Sequence, residues 1–277
     1  MKFLSKCYIG LIFFLLYIPI VVLIVFSFNE SGSLAEFSGF TLGWYEELFH
    51  DEEAFSALRN SLLLAISSAV IATVLGTFGA LGLHRMRRRY IRKPIMTLTN
   101  IPMMNPDIVT GVSMMLLFVA VASFLGTREL FGFGTLLIAH VTFNLPYVIL
   151  SVMPRFKQLD RSLSEAAQDL GCTPARAFFK VELPQIIPGI VSGLMLGFTM
   201  SLDDFVISHF VSSPDFKTLP LYIYTQTAHE VKFSMYALCT IMILAILVLL
   251  ISVNVAGSMG ERRERKKEYR AQKGGVR

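Results

Sequence analysis

Three carboxylates stand in stretches of this sequence that otherwise carry no charge: Asp107, Asp203 and Asp204. No Lys or Arg accompanies them at comparable depth. A carboxylate inside a bilayer is costly, so each must face a cavity, a partner or a cargo, and an acidic interior without a basic counterpart favours a cation. At about 1.5 Å per residue, Asp107 falls about 18 Å along its apolar stretch and Asp203 about 25 Å along its own. Pro102 and Pro106 loosen the helix ahead of Asp107, freeing backbone groups that a cavity or a neighbouring helix must satisfy. Asp203 and Asp204 are consecutive, so on one helix they point about 100° apart. One should bind and the other should pack. Each also has a purely structural reading, a bond to a neighbouring helix. His140, Asn144 and Tyr147 form a polar stripe at helical spacing that can hydrogen-bond an amine or bridge helices.

A second group of residues lies in a polar loop between two apolar stretches. Ser162 and Glu165 have the spacing of a capping box and predict a helix start. Gly171 suits the left-handed residue that closes such a helix, and Thr173 with Pro174 suits the opening of another. Ala166 and Ala167 leave one face small enough for a foreign backbone to approach. The loop therefore reads as helix, sharp turn, helix, either a docking site for a cytoplasmic motor or an amphipathic connector. The sequence has no phosphate-binding loop, no H-E-x-x-H and no paired Ser and His in a recognisable context, so energy would have to come from another chain.

The elements that must position these residues are set by composition. The chain is 54% hydrophobic with a mean hydropathy of +0.60, too apolar for one soluble core of this length. Six spans are predicted, at Tyr8–Phe28, Asn60–Leu83, Ile95–Phe124, Gly132–Met153, Ile186–Ser208 and Phe233–Ala256. Lys2 and Lys6, the cluster from Arg85 to Lys93, and the cluster from Arg262 to Lys267 then fall on one side, which the positive-inside rule makes cytoplasmic. Both termini follow them. The segment Asn29–Leu58 has no Lys or Arg but several acids, and faces outward. Within it Trp44 and Tyr45 either attract a polycation through their ring faces or anchor the membrane edge. The first span lacks a cleavage site and reads as a retained helix. Cys7, Cys172 and Cys239 are isolated, so neither a disulfide nor a metal site is indicated. The net charge of +5 fits cytoplasmic loops meeting anionic lipid rather than nucleic acid.

The order Glu165-Ala166-Ala167, Gly171, Leu183-Pro184 resembles the loop signature of type I, binding-protein-dependent ATP-binding-cassette importer permeases. Asn105 to Gly111, Ser201 to Phe205 and Leu219-Pro220 narrow the resemblance to the spermidine/putrescine transport family. It implies an all-α integral membrane protein of six transmembrane helices, with a MetI-like core of five plus an N-terminal helix. The implied division is residues 1–58, a core at 59–256 with its cytoplasmic coupling loop at 154–185, and a basic tail at 257–277. Glu165, Ala166, Ala167, Gly171, Arg176, Leu183 and Pro184 would then couple to an ATPase.

The partners so implied are a second homologous permease, two ATPase subunits that bind the ATP and Mg, and a periplasmic substrate-binding protein, all at a bacterial inner membrane. This chain itself would be no enzyme and hold no cofactor. Its cargo would be a small cation, spermidine or putrescine, passed by alternating access over a weak site at Asp107 and one of the paired aspartates. Between Leu221 and Met235 the sequence departs from the family's Pro-Glu-Ile-Asn-Ala-Leu-like ending, which leaves the amine open. The alternatives are the same machine carrying iron, an oxyanion or an osmolyte, and a non-transporting scaffold.

Overall fold

The computed structural model describes residues 2–32, 36–86, 88–127, 131–228, 232–248 and 251. The expected tail at 257–277 and Arg87 lie outside them. Apart from an isolated bridge between Asn29 and Phe40, the regular structure among the described residues is helical. In chain order the helices are α1 (Lys2–Phe26), α2 (Gly43–Phe49), α3 (Glu52–Arg85), α4 (Arg89–Met104), α5 (Asp107–Leu125) and α6 (Phe133–Gln158). Then come α7 (Arg161–Asp169), α8 (Pro174–Ala177), a π-helical turn (Phe178–Glu182), α9 (Leu183–Asp203), α10 (Val206–Val211) and α11 (Leu219–Thr227). The last is α12, Phe233–Val248. Five stretches are long and apolar enough to cross a membrane: Lys6–Phe26, α3, α5, α6 and the continuous run Pro174–Asp203; α12 is a shorter apolar helix. The protein is an all-α integral membrane protein.

Two of the expected spans are broken. Ile95–Phe124 is not one helix: α4 ends at Met104, Asn105 is extended (φ −75°, ψ 142°), and α5 restarts after Pro106. Proline lacks an N–H and disfavours the helical conformation at the residue before it, which fits the extended Asn105 ahead of Pro106. Asp107 thus opens α5 instead of lying midway along a span, and the depth reckoned along a straight helix lapses. Ile186–Ser208 is likewise two elements, because Asp204 is extended (φ −68°, ψ 117°) between α9 and α10.

Two compact units emerge, Glu53–Tyr224 and Met1–Glu52 with Thr225–Arg277. Within the first unit, α6 and α9 make an extensive helix contact. It depends on the small-residue row Gly189, Gly193 and Gly197: a Cβ at Gly189 would lie 2.7 Å from Arg155 Cγ and 3.1 Å from the Ser151 carbonyl. Close approach of this kind drives helix association where lipid is as apolar as the side chains. Val148, Val152, Phe156, Phe178 and Ile186 fill one buried cluster, and Leu64, Leu136, Ala139, Phe143, Ile207 and Val211 fill another. Outward-facing Leu63, Ile66, Val70, Val74 and Phe78 of α3 stay exposed, as a lipid-facing stripe requires.

In the second unit, Trp44 Nε1 donates to the Asn29 carbonyl at 2.7 Å and its ring packs on Phe233. The Tyr45 hydroxyl meets Ser27 Oγ at 2.8 Å, and its ring stacks on Phe28. Both aromatic side chains hold the segment after α1 together.

Candidate functional site

The corner between α9 and α10 is made by a side chain. Asp204 Oδ1 accepts from the Ile207 N–H (3.2 Å), and Oδ2 accepts from the Ser208 N–H (2.8 Å) and the Ser208 hydroxyl (3.0 Å). These are the free amides of a helix start, and a carboxylate satisfies them well. Oδ2 also lies 3.4 Å from His140 Nε2, with the Asp204 side chain 6% exposed and His140 fully buried. On the other side of the ring, His140 Nδ1 is 2.6 Å from Ser201 Oγ, which accepts from Ser68 Oγ at 3.0 Å. One assignment satisfies all of these: neutral His140 with its proton on Nε2 facing Asp204, and Nδ1 accepting from Ser201. The network joins α3, α6, α9 and α10. Its order, Asp204–His140–Ser201, is that of a nucleophilic triad. Residues 61 and 64 positions apart make this pairing, and no local pattern signals it. Ser201 is 3% exposed, so in this conformation no reactant reaches its hydroxyl, and the network acts as a fastening.

The other two carboxylates are exposed. Asp203 ends α9 and has no hydrogen bond or ion pair among the described residues. Asp107 lies in the first turn of α5, where the helix dipole favours an anion, within electrostatic reach of the half-buried Tyr147. α5 packs on α10 one turn later: a Cβ at Gly111 would lie 2.9 Å from the Phe210 ring and 3.4 Å from the Val206 carbonyl. Asp107 therefore opens the helix that packs on α10, and Asp203 closes the helix that leads into α10. Asn144 is fully buried beside Gly197, and neither its amide nitrogen nor its oxygen has a partner. Among the described residues no three metal-ligating side chains converge.

The polar loop between α6 and α9 folds as helix, turn, helix. Its first cap differs from the expected Ser162–Glu165 box: Asp160 is the N-cap of α7 and accepts from the Ser162 N–H at 3.0 Å. That bond holds the Asp160 carboxyl below the usual carboxylate range. Gly171 has φ +88°, and the Gly171 and Cys172 amides donate to the Gln168 and Ala167 carbonyls, closing a Schellman turn. Thr173 Oγ1 accepts from the Arg176 N–H at 3.4 Å, and Pro174 takes the first position of α8. Glu165, Ala166, Arg176 and Pro184 are exposed, and Ala167 and Leu183 half-buried. Glu165 lines a cleft of about 590 Å³ with His84, Arg85, Arg89, Arg92 and Gln168. Three residues here escaped sequence reasoning: Arg85, Ser164 and Glu182, which meet through space with no local signal.

Residues 72–266 match the family model described as "Binding-protein-dependent transport system inner membrane component". The putrescine transport system permease protein PotI of Escherichia coli (strain K12) is 40% identical over 234 residues, 84% of this chain and 83% of that protein. The spermidine/putrescine transport system permease protein PotC of Haemophilus influenzae is 39% identical over 249 residues, 90% of this chain and 94% of that one. A bacterial ABC transporter involved in the import of the acidic polysaccharide alginate superposes with a TM-score of 0.73 at 16% identity, covering 91% of this chain and 95% of that one. The MetNI methionine ABC transporter gives 0.57 at 19%, covering 79% and 96%. These structures speak for the fold alone. By its matched length and its relatives, the chain belongs to the family of binding-protein-dependent transport system inner membrane components.

Proposed function

We propose that this chain is the permease subunit of an ATP-driven, binding-protein-dependent importer of polyamines, spermidine or putrescine. The observation that carries this reading is a pair of exposed carboxylates at helix ends on either side of α10's packing, Asp107 opening α5 and Asp203 closing α9. The relatives named for putrescine and spermidine agree with that charge. In this reading Asp107, Asp203 and Tyr147 face the pathway, whereas Asp204 and His140 hold the helices that carry them. An extended diamine or triamine exchanges water for two separated carboxylates. Two contacts of this kind select for charge spacing yet release the cargo readily, as alternating access requires.

The partners are a second homologous permease, two ATPase subunits that bind ATP and Mg, and a periplasmic binding protein. Both termini lie in the cytoplasm, and the loop at 154–185 meets the ATPase through Glu165, Ala166, Ala167, Gly171, Arg176, Leu183 and Pro184. The test is uptake of labelled spermidine and putrescine into liposomes holding the assembled transporter. Asp203→Asn and Asp107→Asn should each lower uptake about tenfold, the equivalent of about 1.4 kcal/mol, with ATPase assembly intact. Transport of some other solute in place of both amines would overturn the cargo assignment.

A further inference from the structure

Where α3, the coupling helix α7 and the π-helical turn meet, one carboxylate gathers all three. Arg85, the last residue of α3, places Nη2 3.3 Å from Glu182 Oε2 and 3.4 Å from Oε1. Ser164 Oγ of α7 donates to the same Oε1 at 2.8 Å. The Arg85 guanidinium also lies over the Phe178 ring, 5.8 Å from its centroid. Phe178 begins the π turn and Glu182 ends it, so one guanidinium grips both ends of that turn. Phe178 is itself buried in the core cluster with Phe156 and Ile186.

Exposed ion pairs contribute little, but this pair is lopsided. The Arg85 side chain is 47% exposed and the Glu182 side chain 14%. A largely desolvated carboxylate with two donors is costly to leave unpaired. A π turn is a rare, widened turn that collects at functional sites, and this one joins the coupling segment to the spanning helix α9. Among the described residues, Ser164–Glu182 is the one side-chain hydrogen bond of α7 that leaves its own helix and cap.

We propose that Arg85, Glu182 and Ser164 form a clamp that transmits movement of the coupling helix through the π turn to α9 and to α3. They are positioning residues for coupling and touch neither cargo nor nucleotide. Without the clamp, α7 follows the ATPase while α9 lags, and hydrolysis is spent without reorientation of the cavity. The proposal rests on the importer reading above.

The experiment uses the full chain assembled with its companion permease, ATPases and binding protein in liposomes, and reads solute taken up per ATP hydrolysed. Glu182→Gln should still assemble and hydrolyse ATP, with that ratio lowered about tenfold. Ser164→Ala, which removes one hydroxyl and leaves the fold intact, should lower it about two- to threefold. The exchange Arg85→Glu with Glu182→Arg should return it to within about twofold of wild type, since the pair is remade. An unchanged ratio in Ser164→Ala overturns the clamp even where Glu182→Gln fails to assemble. An exchange variant no better than Glu182→Gln overturns it as well. The wild type decides the function separately: if it moves another solute, the cargo assignment falls and the ratio is read with that solute.

Discussion

Two corners of this molecule use the same capping chemistry in opposite surroundings. At the start of α7, Asp160 accepts a backbone N–H in open solvent; between α9 and α10, Asp204 accepts two backbone N–H groups and a hydroxyl beside a fully buried His140. The exposed corner is closed by local means, since Asp160, Gly171, Thr173 and Pro174 all act on their own chain neighbours. The buried corner requires α3, α6 and α9 to deliver Ser68, His140 and Ser201. A solvated cap can be lost with the helix merely fraying. A buried one takes a network with it. The comparison also separates Asp203 from Asp204: the chain turns at Asp204 because its carboxylate is consumed by that turn, and Asp203 is left outward with its charge unused.

The largest effect should come from the buried corner. Asp204→Ala strands two amides and a hydroxyl and leaves the imidazole only Ser208 Oγ, 3.3 Å from Nε2, which should cost about 3 kcal/mol or more. Thermal unfolding in detergent, followed for Asp204→Ala and Asp203→Ala side by side, checks this. Asp203→Ala should stay within about 0.5 kcal/mol of wild type while it lowers uptake. Equal losses of stability in the two variants would erase the distinction drawn between them. His140→Ala should fall nearer Asp204→Ala, since it leaves the same carboxylate short of one donor.

The difference between the corners also explains how far the sequence could be read. The α7–α8 turn was legible, because Gly171 and Thr173-Pro174 are signals that act within a few residues. Even there the cap is Asp160 rather than Ser162: it lies two residues earlier, and its oxygen reaches forward to the Ser162 amide. The break after Asp203 has only a weak local trace: Ser201-Leu202-Asp203-Asp204-Phe205 contains neither Pro nor Gly, and although Asp204 has the chemistry of a cap for the α10 amides, it is distant His140 that completes the partners of its carboxylate. Pro106 announced a weak point ahead of Asp107, but local pattern alone did not distinguish a kink from a full stop. Arg85 and Glu182 are farther apart still, and only the packing of α3 against the π turn brings their charges together.

Gly171 gives the next effect, smaller and confined to the exposed corner. Its φ of +88° is a conformation other residues resist, yet a Cβ there would meet nothing within 4 Å. Gly171→Ala should therefore act through the backbone alone, costing about 1–2 kcal/mol locally. Hydrogen exchange at Gly171 and Cys172, whose amides close the turn, should speed up accordingly. Gly171→Asn should be milder, because Asn tolerates the left-handed region. Should Ala and Asn behave alike, the turn would not owe its shape to that torsion.

Asp160 should give the smallest effect, one that depends on pH with a definite sign. The Ser162 N–H holds its carboxyl below the usual range in the folded loop. A depressed carboxyl contributes stability that is present above the ordinary carboxylate value of about 3.9 and is lost as pH falls through the lower folded value. The contrast in exchange protection of α7 between wild type and Asp160→Ala should thus be constant at neutral pH and shrink in acid. Because the carboxylate is solvated, added salt should weaken the contrast too. At the Asp204 corner, by comparison, salt should change little, because the fastening there is shielded from ions by the helices it joins. A salt response of equal size at both corners would mean that water and ions reach the His140 network, and the buried corner would then have to be counted as part of the pathway.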